Sequence, residues 1–324
     1  MLLTILMNLM SMKKNTKRII IIVGPTAIGK TALSIDIAKS LNTEIISCDS
    51  RQFYKELLIG AAPPSSKELA TVKHHFIQHL SVNNDYNAGA FELDAIAKIE
   101  ELHKIKDTIV VVGGSGLYVN AICKGFDKMP EIPINIRTSL NEEFSKKGIA
   151  WLQEEVQKID PVFFESCDTQ NPQRLLRALE VYKTTGERFS SFKSETTKKR
   201  PFEIVKIGLS TDRKVLYKRI NTRVDKMLEN GLLEEVESLI PFQHKNALKT
   251  VGYKEIFAFY NNECTLEKSV ENIKQNTRRF AKRQLTWFRK DENTKWFEPH
   301  QLALYFGSAS LFMRNCSFIN RNSY

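Results

Sequence analysis

Cysteine is scarce and scattered. The 324 residues hold five, Cys48, Cys123, Cys167, Cys264 and Cys316, with no C-x-x-C pair. That spacing argues against a zinc site and against a disulfide framework, and it fits a reducing cytoplasm. Long apolar runs are also lacking. Met1 to Met10 (MLLTILMNLM) is apolar but too short to span a bilayer, and it has neither a basic leading region nor a small-residue cleavage site of a secretory signal. No membrane role is expected, and residues 1–16 read as a loose extension. Repeats and low-complexity tracts are absent. Acidic residues fall short of basic ones, 37 against 48, which leaves a net charge of +11. The excess is about +3 over residues 1–129 and about +8 over the remainder. A positive excess suits a polyanionic partner, although charge alone leaves an ordinary basic surface equally open.

Against these absences, the first 125 residues alternate between strand and helix signals. Arg18 to Val23 (RIIIIV) is β-branched after its arginine, as in a buried strand of a parallel sheet. Thr31 to Leu41 has apolar residues at helical spacing. Glu44 to Ser47 and Thr108 to Val112 read as further strands, and Phe91 to Lys106 as an amphipathic helix. This alternation predicts an α/β fold, a parallel sheet flanked by helices, and the glycine-rich loop at 24–31 makes it P-loop NTPase-like. Pro130 and Pro133 mark a break. Residues 134–200 then read as a helical insertion domain, and Phe202 to Leu209 returns as a strand. Lys214 to Ile240 and Leu266 to Lys290 read as helices. The core is therefore expected over 17–133 and 201–300, with a tail at 301–324.

Gly24-Pro25-Thr26-Ala27-Ile28-Gly29-Lys30-Thr31 fits G-x-x-x-x-G-K-[ST] between a strand and a helix. The glycines let successive N–H groups converge on one anion, and the helix adds its positive N-terminal end. Lys30 supplies a point charge, and the Thr31 hydroxyl can ligate Mg²⁺. Many P-loop NTPases hold the metal with a second Asp after another strand. Here that strand ends in Gly113-Gly114-Ser115-Gly116, which disfavours motors and switches and leaves enzymes that bind a phosphorylated small molecule. Asp49 follows a strand at the edge where ligands bind in open α/β sheets. It could accept a proton or orient an amine, or it could serve as a turn or helix-cap residue.

The runs GPTAIGKT (24–31), SCDSRQFY (47–54), GGSGLYV (113–119) and NPQRLLRALEVY (171–182) occur in that order. With DRKVLYKRINTRVDKMLENGLLEEV (212–236), TVGYKE (250–255) and RRFAKRQLTWFRK (278–290), they resemble the tRNA dimethylallyltransferases over roughly residues 18–298. The resemblance implies transfer of a dimethylallyl group from dimethylallyl diphosphate to N6 of an adenine next to the anticodon, position 37 of the tRNA. Mg²⁺ assists, and the P-loop, Gly24 to Thr31, holds the diphosphate rather than ATP. Lys30, Thr31 and backbone N–H groups from Thr26 to Thr31 would stabilise the leaving group, and Asp49 would take the amine proton. One of Arg219 and Arg223 reaches the diphosphate, with Arg223 favoured.

The resemblance also places Asp49, Ser50, Arg51 and Gln52 against the target nucleotide. It makes Ser115, Arg137, Gln173, Arg174, Leu175, Leu176 and Arg177 tRNA contacts in the anticodon stem-loop. Among the basic residues of 274–290, Lys282 and Arg283 would meet phosphates, while the interleaved aromatics are expected to pack mainly inward. Two departures stand out. Ile28 replaces the family's usual serine, and Ala61-Ala62-Pro63-Pro64 replaces T-A-K-P, so a lysine is missing. A small-molecule kinase, a transferase acting on free adenine nucleotide and a non-catalytic RNA-binding protein are the alternatives. The basic C-terminal segments argue against the first two, and Lys30, Thr31 and Asp49 against the third. A cytoplasmic monomer is the expectation.

Overall fold

The structure is a computed structural model that describes residues 16–193 and 198–299. The expected extension, except residue 16, and the tail at 301–324, with Cys316, lie outside the described residues. Six strands form one sheet: β1 (Arg18–Val23), β2 (Ile45–Ser47), β3 (His74–His75), β4 (Thr108–Val112), β5 (Glu203–Leu209) and β6 (Thr294–Phe297). Their spatial order is β3-β2-β4-β1-β5-β6, and every pairing is parallel. The run RIIIIV thus becomes the central strand, paired with β4 on one edge and β5 on the other.

Alternation along the strands decides how the sheet is covered. Ile20 and Ile22 of β1, Val110 and Val112 of β4, and Ile207 and Leu209 of β5 share one core. Leu33 and Ile37 of α1 (Lys30–Ser40) pack into that core, as does Ile220 of the later helix at Arg213–Glu229. Ile19, Ile21, Ile109 and Val111, one residue out of phase, are fully buried as well. Each such side chain contributes about 1.5–3 kcal/mol through burial. A strand that is apolar at every position after Arg18 therefore fits only the middle of a sheet covered on both sides.

After α2 (Ser66–Thr71), the amphipathic segment expected at 91–106 is helix α3 (Ala88–His103), shifted toward the N-terminus. Asn87 sets the start, since its side chain accepts the N–H groups of Gly89 and Ala90 at 2.9 and 3.0 Å. Helix α4 (Gly116–Cys123) follows β4. The strands β3 and β6 were not expected. They are two and four residues long, too short for a periodic signal.

Residues 124–199 form a second compact unit, where the sequence suggested an insertion over 134–200. It contains α5 (Ile134–Ile159), α6 (Pro161–Ser166) and α7 (Pro172–Thr185). Gly148, at φ 74°, breaks α5. Leu140, Leu152, Val156, Phe163, Leu175 and Leu179 give this unit its own core. The first unit resumes with β5 and continues through α8 (Arg213–Glu229), α9 (Leu232–Ser238), α10 (Tyr253–Tyr260) and α11 (Leu266–Arg289). The single helix expected over 214–240 is in fact α8 and α9, because Gly231 adopts φ 93° between them. No helix among the described residues is long and apolar enough to cross a membrane.

Candidate active site

Three loops leave the carboxyl ends of β1, β2 and β4 on one edge of the sheet: the P-loop, the segment from Cys48, and Gly113 to Ser115. With α8 and α11 they line a cavity of about 730 Å³, all within the first unit. This is the edge where parallel sheets place their ligands.

The P-loop turns sharply. Gly24 runs so close to β5 that a Cβ there would lie 2.7 Å from the Leu209 carbonyl oxygen. Ala27 and Gly29 adopt positive φ, 62° and 103°, which folds the chain back into the start of α1. Ile28 is 1% exposed and belongs to the sheet core, so its side chain anchors the loop and only its backbone can serve an anion. Thr31 stands in the first turn of α1 and lines the cavity. The cradle expected to run from Thr26 to Thr31 begins instead at Ala27. The Thr26 N–H is already donated, at 2.9 Å, to Oε1 of Gln284.

Lys30 donates to the Pro25 carbonyl at 2.8 Å. Its pKa falls from the ordinary 10.5 to about 8, first because burial disfavours the charged form. Asp49 works against that shift and Arg223 adds to it. An anion in the cradle needs the ammonium form. Donor affinity should therefore hold below pH 8 and weaken toward tenfold per pH unit above it. A titration of binding of dimethylallyl diphosphate, the ligand the resemblance implies, from pH 7 to 9.5 checks this. The break should vanish in Lys30→Arg, and an unbroken wild-type profile would contradict it. The same shift bears on stability. Between pH 8 and 10.5 the unfolded chain binds more protons at this position, so its penalty is felt in full at low pH and is relieved as pH rises.

Asp49 ends the β2 turn. Its Oδ1 accepts the Arg51 N–H at 3.1 Å, and its own N–H faces Ser47 Oγ at 3.4 Å. The carboxylate is thus oriented by its own loop, has no ion pair among the described residues, and stands close enough to Lys30 to raise that pKa. Ser50 donates its N–H to Ser115 Oγ at 3.2 Å, which ties the β2 and β4 loops together. Arg51 and Gln52 are partly spent. Arg51 donates to the carbonyls of Asn246 and Ala247 at 3.1 and 2.8 Å. The Gln52 amide donates to Ala62 O at 3.1 Å and accepts from Ser47 at 3.3 Å.

Arg223 and Arg219 both line the cavity from α8. Arg223 reaches Thr26 Oγ1 at 3.4 Å and Ala62 O at 3.5 Å, and burial lowers its pKa while Asp49 raises it. Arg219 is exposed. The choice of Arg223 thus rests on contact with the P-loop. Where a lysine was missed, between Ala61 and Pro64, the loop offers a backbone carbonyl to Arg223 instead. Glu235 holds that loop by accepting the N–H groups of Leu58, Ile59 and Gly60 at 2.9, 2.7 and 3.0 Å, and it also takes the Tyr253 hydroxyl at 2.7 Å. The sequence reading missed Glu235.

In the second unit, Gln173 and Arg174 are exposed on α7. Leu175 and Leu176 are 0% and 3% exposed in that unit's core. The motif expected to contact tRNA runs across both faces of a helix, and these two positions form its apolar face, so their side chains serve packing. Arg137 and Arg177 share Glu180 at 3.0 and 3.3 Å. On α11, Lys282 and Arg283 are exposed. Of the aromatics there, only Phe288 packs inward as expected. Phe280 and Trp287 are each 37% exposed and line the cavity. Gln284 was missed too, although it sits with Ala281 and Phe288 on the buried face of an otherwise basic helix. A lone amide on an apolar stripe was the available signal.

Comparison with known proteins gives the same placement. The family profile described as IPP transferase matches residues 52–291. The chain is 52% identical over 277 residues to the tRNA dimethylallyltransferase of Christiangramia forsetii, covering 86% of this chain and 92% of that one. It is 50% identical over 288 residues to the enzyme of that name from Flavobacterium johnsoniae, covering 87% and 93%. The crystal structure of the tRNA isopentenylpyrophosphate transferase of Bacillus halodurans matches with a TM-score of 0.66 at 34% identity, over 94% of this chain and all of the other. A cavity that joins an anion cradle to an oriented carboxylate, on a chain similar over most of its length to these enzymes, shows that the protein belongs to the IPP transferase family.

Proposed function

We propose that this chain transfers the dimethylallyl group of dimethylallyl diphosphate to N6 of the adenine at position 37, beside the anticodon, in tRNAs reading codons that begin with U. The observation that carries the reading is the pairing, in one cavity, of a phosphate cradle (Ala27 to Thr31, Lys30, Arg223) with Asp49. In the reaction the C1–O bond to diphosphate breaks and an N6–C1 bond forms. The N6 proton passes to the Asp49 carboxylate, and the negative charge growing on the diphosphate falls among donors already in place. An adenine amine is a weak nucleophile, so the alignment of the two substrates contributes much of the rate. The base must leave its stack to reach Asp49.

The Thr31 hydroxyl and the diphosphate oxygens form a hard oxygen donor set that suits Mg²⁺. Thr31 would hold Mg²⁺ together with the diphosphate oxygens, and the ion would supply charge neutralisation to the leaving group. Gln173 and Arg174 of the insertion and Lys282 and Arg283 of α11 are exposed donors for tRNA phosphates. The enzyme works as a cytoplasmic monomer.

The test incubates the protein with Mg²⁺, labelled dimethylallyl diphosphate and an unmodified tRNA reading a codon that begins with U, then digests the RNA. Label on N6 of adenine 37 is expected. Label on free adenine nucleotide alone, or ATP turnover with no prenyl transfer, would overturn the reading.

A further inference from the structure

Gln284 is 6% exposed and lies 258 residues from one partner and 170 from the other. Its Oε1 accepts the Thr26 N–H at 2.9 Å, and its Nε2 donates to the Gly114 carbonyl at 2.8 Å. Only this orientation of the carboxamide satisfies both groups, because an amide N–H needs an acceptor and a carbonyl needs a donor. The chain makes room for it at Gly114, where a Cβ would come within 2.3 Å of Nε2.

Each partner leads to one half of the chemistry. On the P-loop side, Thr26 also holds Arg223, through its hydroxyl at 3.4 Å. On the other side, Gly114 precedes Ser115, whose Oγ accepts the Ser50 N–H at 3.2 Å, and Ser50 follows Asp49. One side chain therefore spans the group that meets the leaving diphosphate and the group that meets the incoming amine. Gln284 makes no hydrogen bond to the amides from Ala27 to Thr31 among the described residues, so it acts on where the cradle sits rather than on its donors.

We propose that Gln284 is a positioning residue that fixes the diphosphate cradle against the Asp49 loop, and so sets the alignment of the prenyl donor with the adenine amine. The inference rests on the prenyl-transfer reading above. It makes the rate of the bound complex, rather than affinity for either substrate, the quantity under Gln284's control. Misplacement of reacting groups by about 1 Å costs on the order of 100-fold in rate.

The experiment compares wild type, Gln284→Met and Gln284→Glu. Methionine keeps the volume and loses both hydrogen bonds. Glutamate keeps the acceptor for Thr26 and loses the donor for Gly114. Single-turnover transfer at saturating donor and tRNA should fall about 100-fold in Q284M, with dissociation constants for dimethylallyl diphosphate and tRNA within about threefold of wild type. Hydrogen exchange at the Thr26 amide should quicken about tenfold or more in Q284M and stay protected in Q284E, while Q284E also loses transfer rate. Should Q284M fail to fold, Q284E supplies the comparison by itself, because Thr26 protection retained with the rate lost is the expected pattern there. A Q284M rate within threefold of wild type overturns the proposal. So does loss in Q284E of both affinities together with the melting temperature, which marks a residue needed only for folding. Wild-type protein that transfers no prenyl group instead sinks the reaction itself, and is told apart by its own blank, whatever the variants do.

Discussion

Asp49→Ala is expected to lower single-turnover prenyl transfer by about 10²–10⁴-fold, with donor affinity little changed at pH 7. The size follows from what the carboxylate does. Among the described residues it has no ion pair to leave broken, and its one side-chain hydrogen bond comes from its own loop, the Arg51 N–H at 3.1 Å. Its removal breaks no ion pair among the described residues, although Lys30 and Arg223 lose the nearby negative charge that raises their pKa values, and the loss of rate is mainly that of the proton acceptor. Asp49→Asn separates the two duties. The amide oxygen can still accept the Arg51 N–H, but it cannot take a proton from N6, so Asn should be nearly as slow as Ala. A second readout comes from Lys30. Asp49 raises that ammonium's pKa, so in both variants the break in donor binding should move below pH 8. A transfer rate in Asp49→Asn within tenfold of wild type would remove Asp49 from proton transfer.

Arg223→Gln is expected to cost about 10²–10³-fold in transfer rate, the usual scale for deleting one donor aimed at developing charge. The guanidinium is largely enclosed and its protein contacts are long, 3.4 Å to Thr26 and 3.5 Å to Ala62, with no ion pair among the described residues. A buried cation without an anion is costly unless a ligand supplies one. The diphosphate gains charge as the C1–O bond breaks, so Arg223 should matter more to the transition state than to the bound donor. Rate should therefore fall further than affinity. Presteady-state transfer and equilibrium binding of dimethylallyl diphosphate decide it, and an affinity loss as large as the rate loss would reduce Arg223 to a binding group. Arg219→Gln is the control, since that side chain is exposed on the same helix.

What the sequence disclosed about this site depended on how local each feature is. The P-loop was legible because its glycines, Lys30 and Thr31 act at fixed short spacing between a strand and a helix. Asp49 was legible as a position, the first carboxylate after a buried strand. Its tie through Ser50 to Ser115, 65 residues away, was not. Gln284 and Glu235 escaped because the loops they hold lie 170 or more residues distant, and no pattern along the chain marks such a bond. Leu175 and Leu176 show the opposite case. A recognised string gives residue identities without saying which of them face the core, although the apolar spacing on α7 contained that information. Gly231 was visible in the sequence, yet a glycine at φ 93° that ends a helix looks the same there as one tolerated inside it.

The central position of β1 has a consequence for how the chain is made. Arg18 pairs with Glu203 across the β1–β5 ladder, so one edge of the isoleucine-rich central strand waits for a partner about 185 residues downstream. At about 5–20 residues per second on the ribosome, that wait is roughly 10–40 s. During it the nascent half-sheet presents Ile19 to Val23 with an open row of amides and carbonyls, a template for pairing with other chains. Residues 124–199 emerge in this interval and have a core of their own, so they can fold without the sheet but cannot close it. The vulnerable species in biosynthesis is thus a chain arrested between β4 and β5, and a chaperone that shields exposed strand edges would act at that stage.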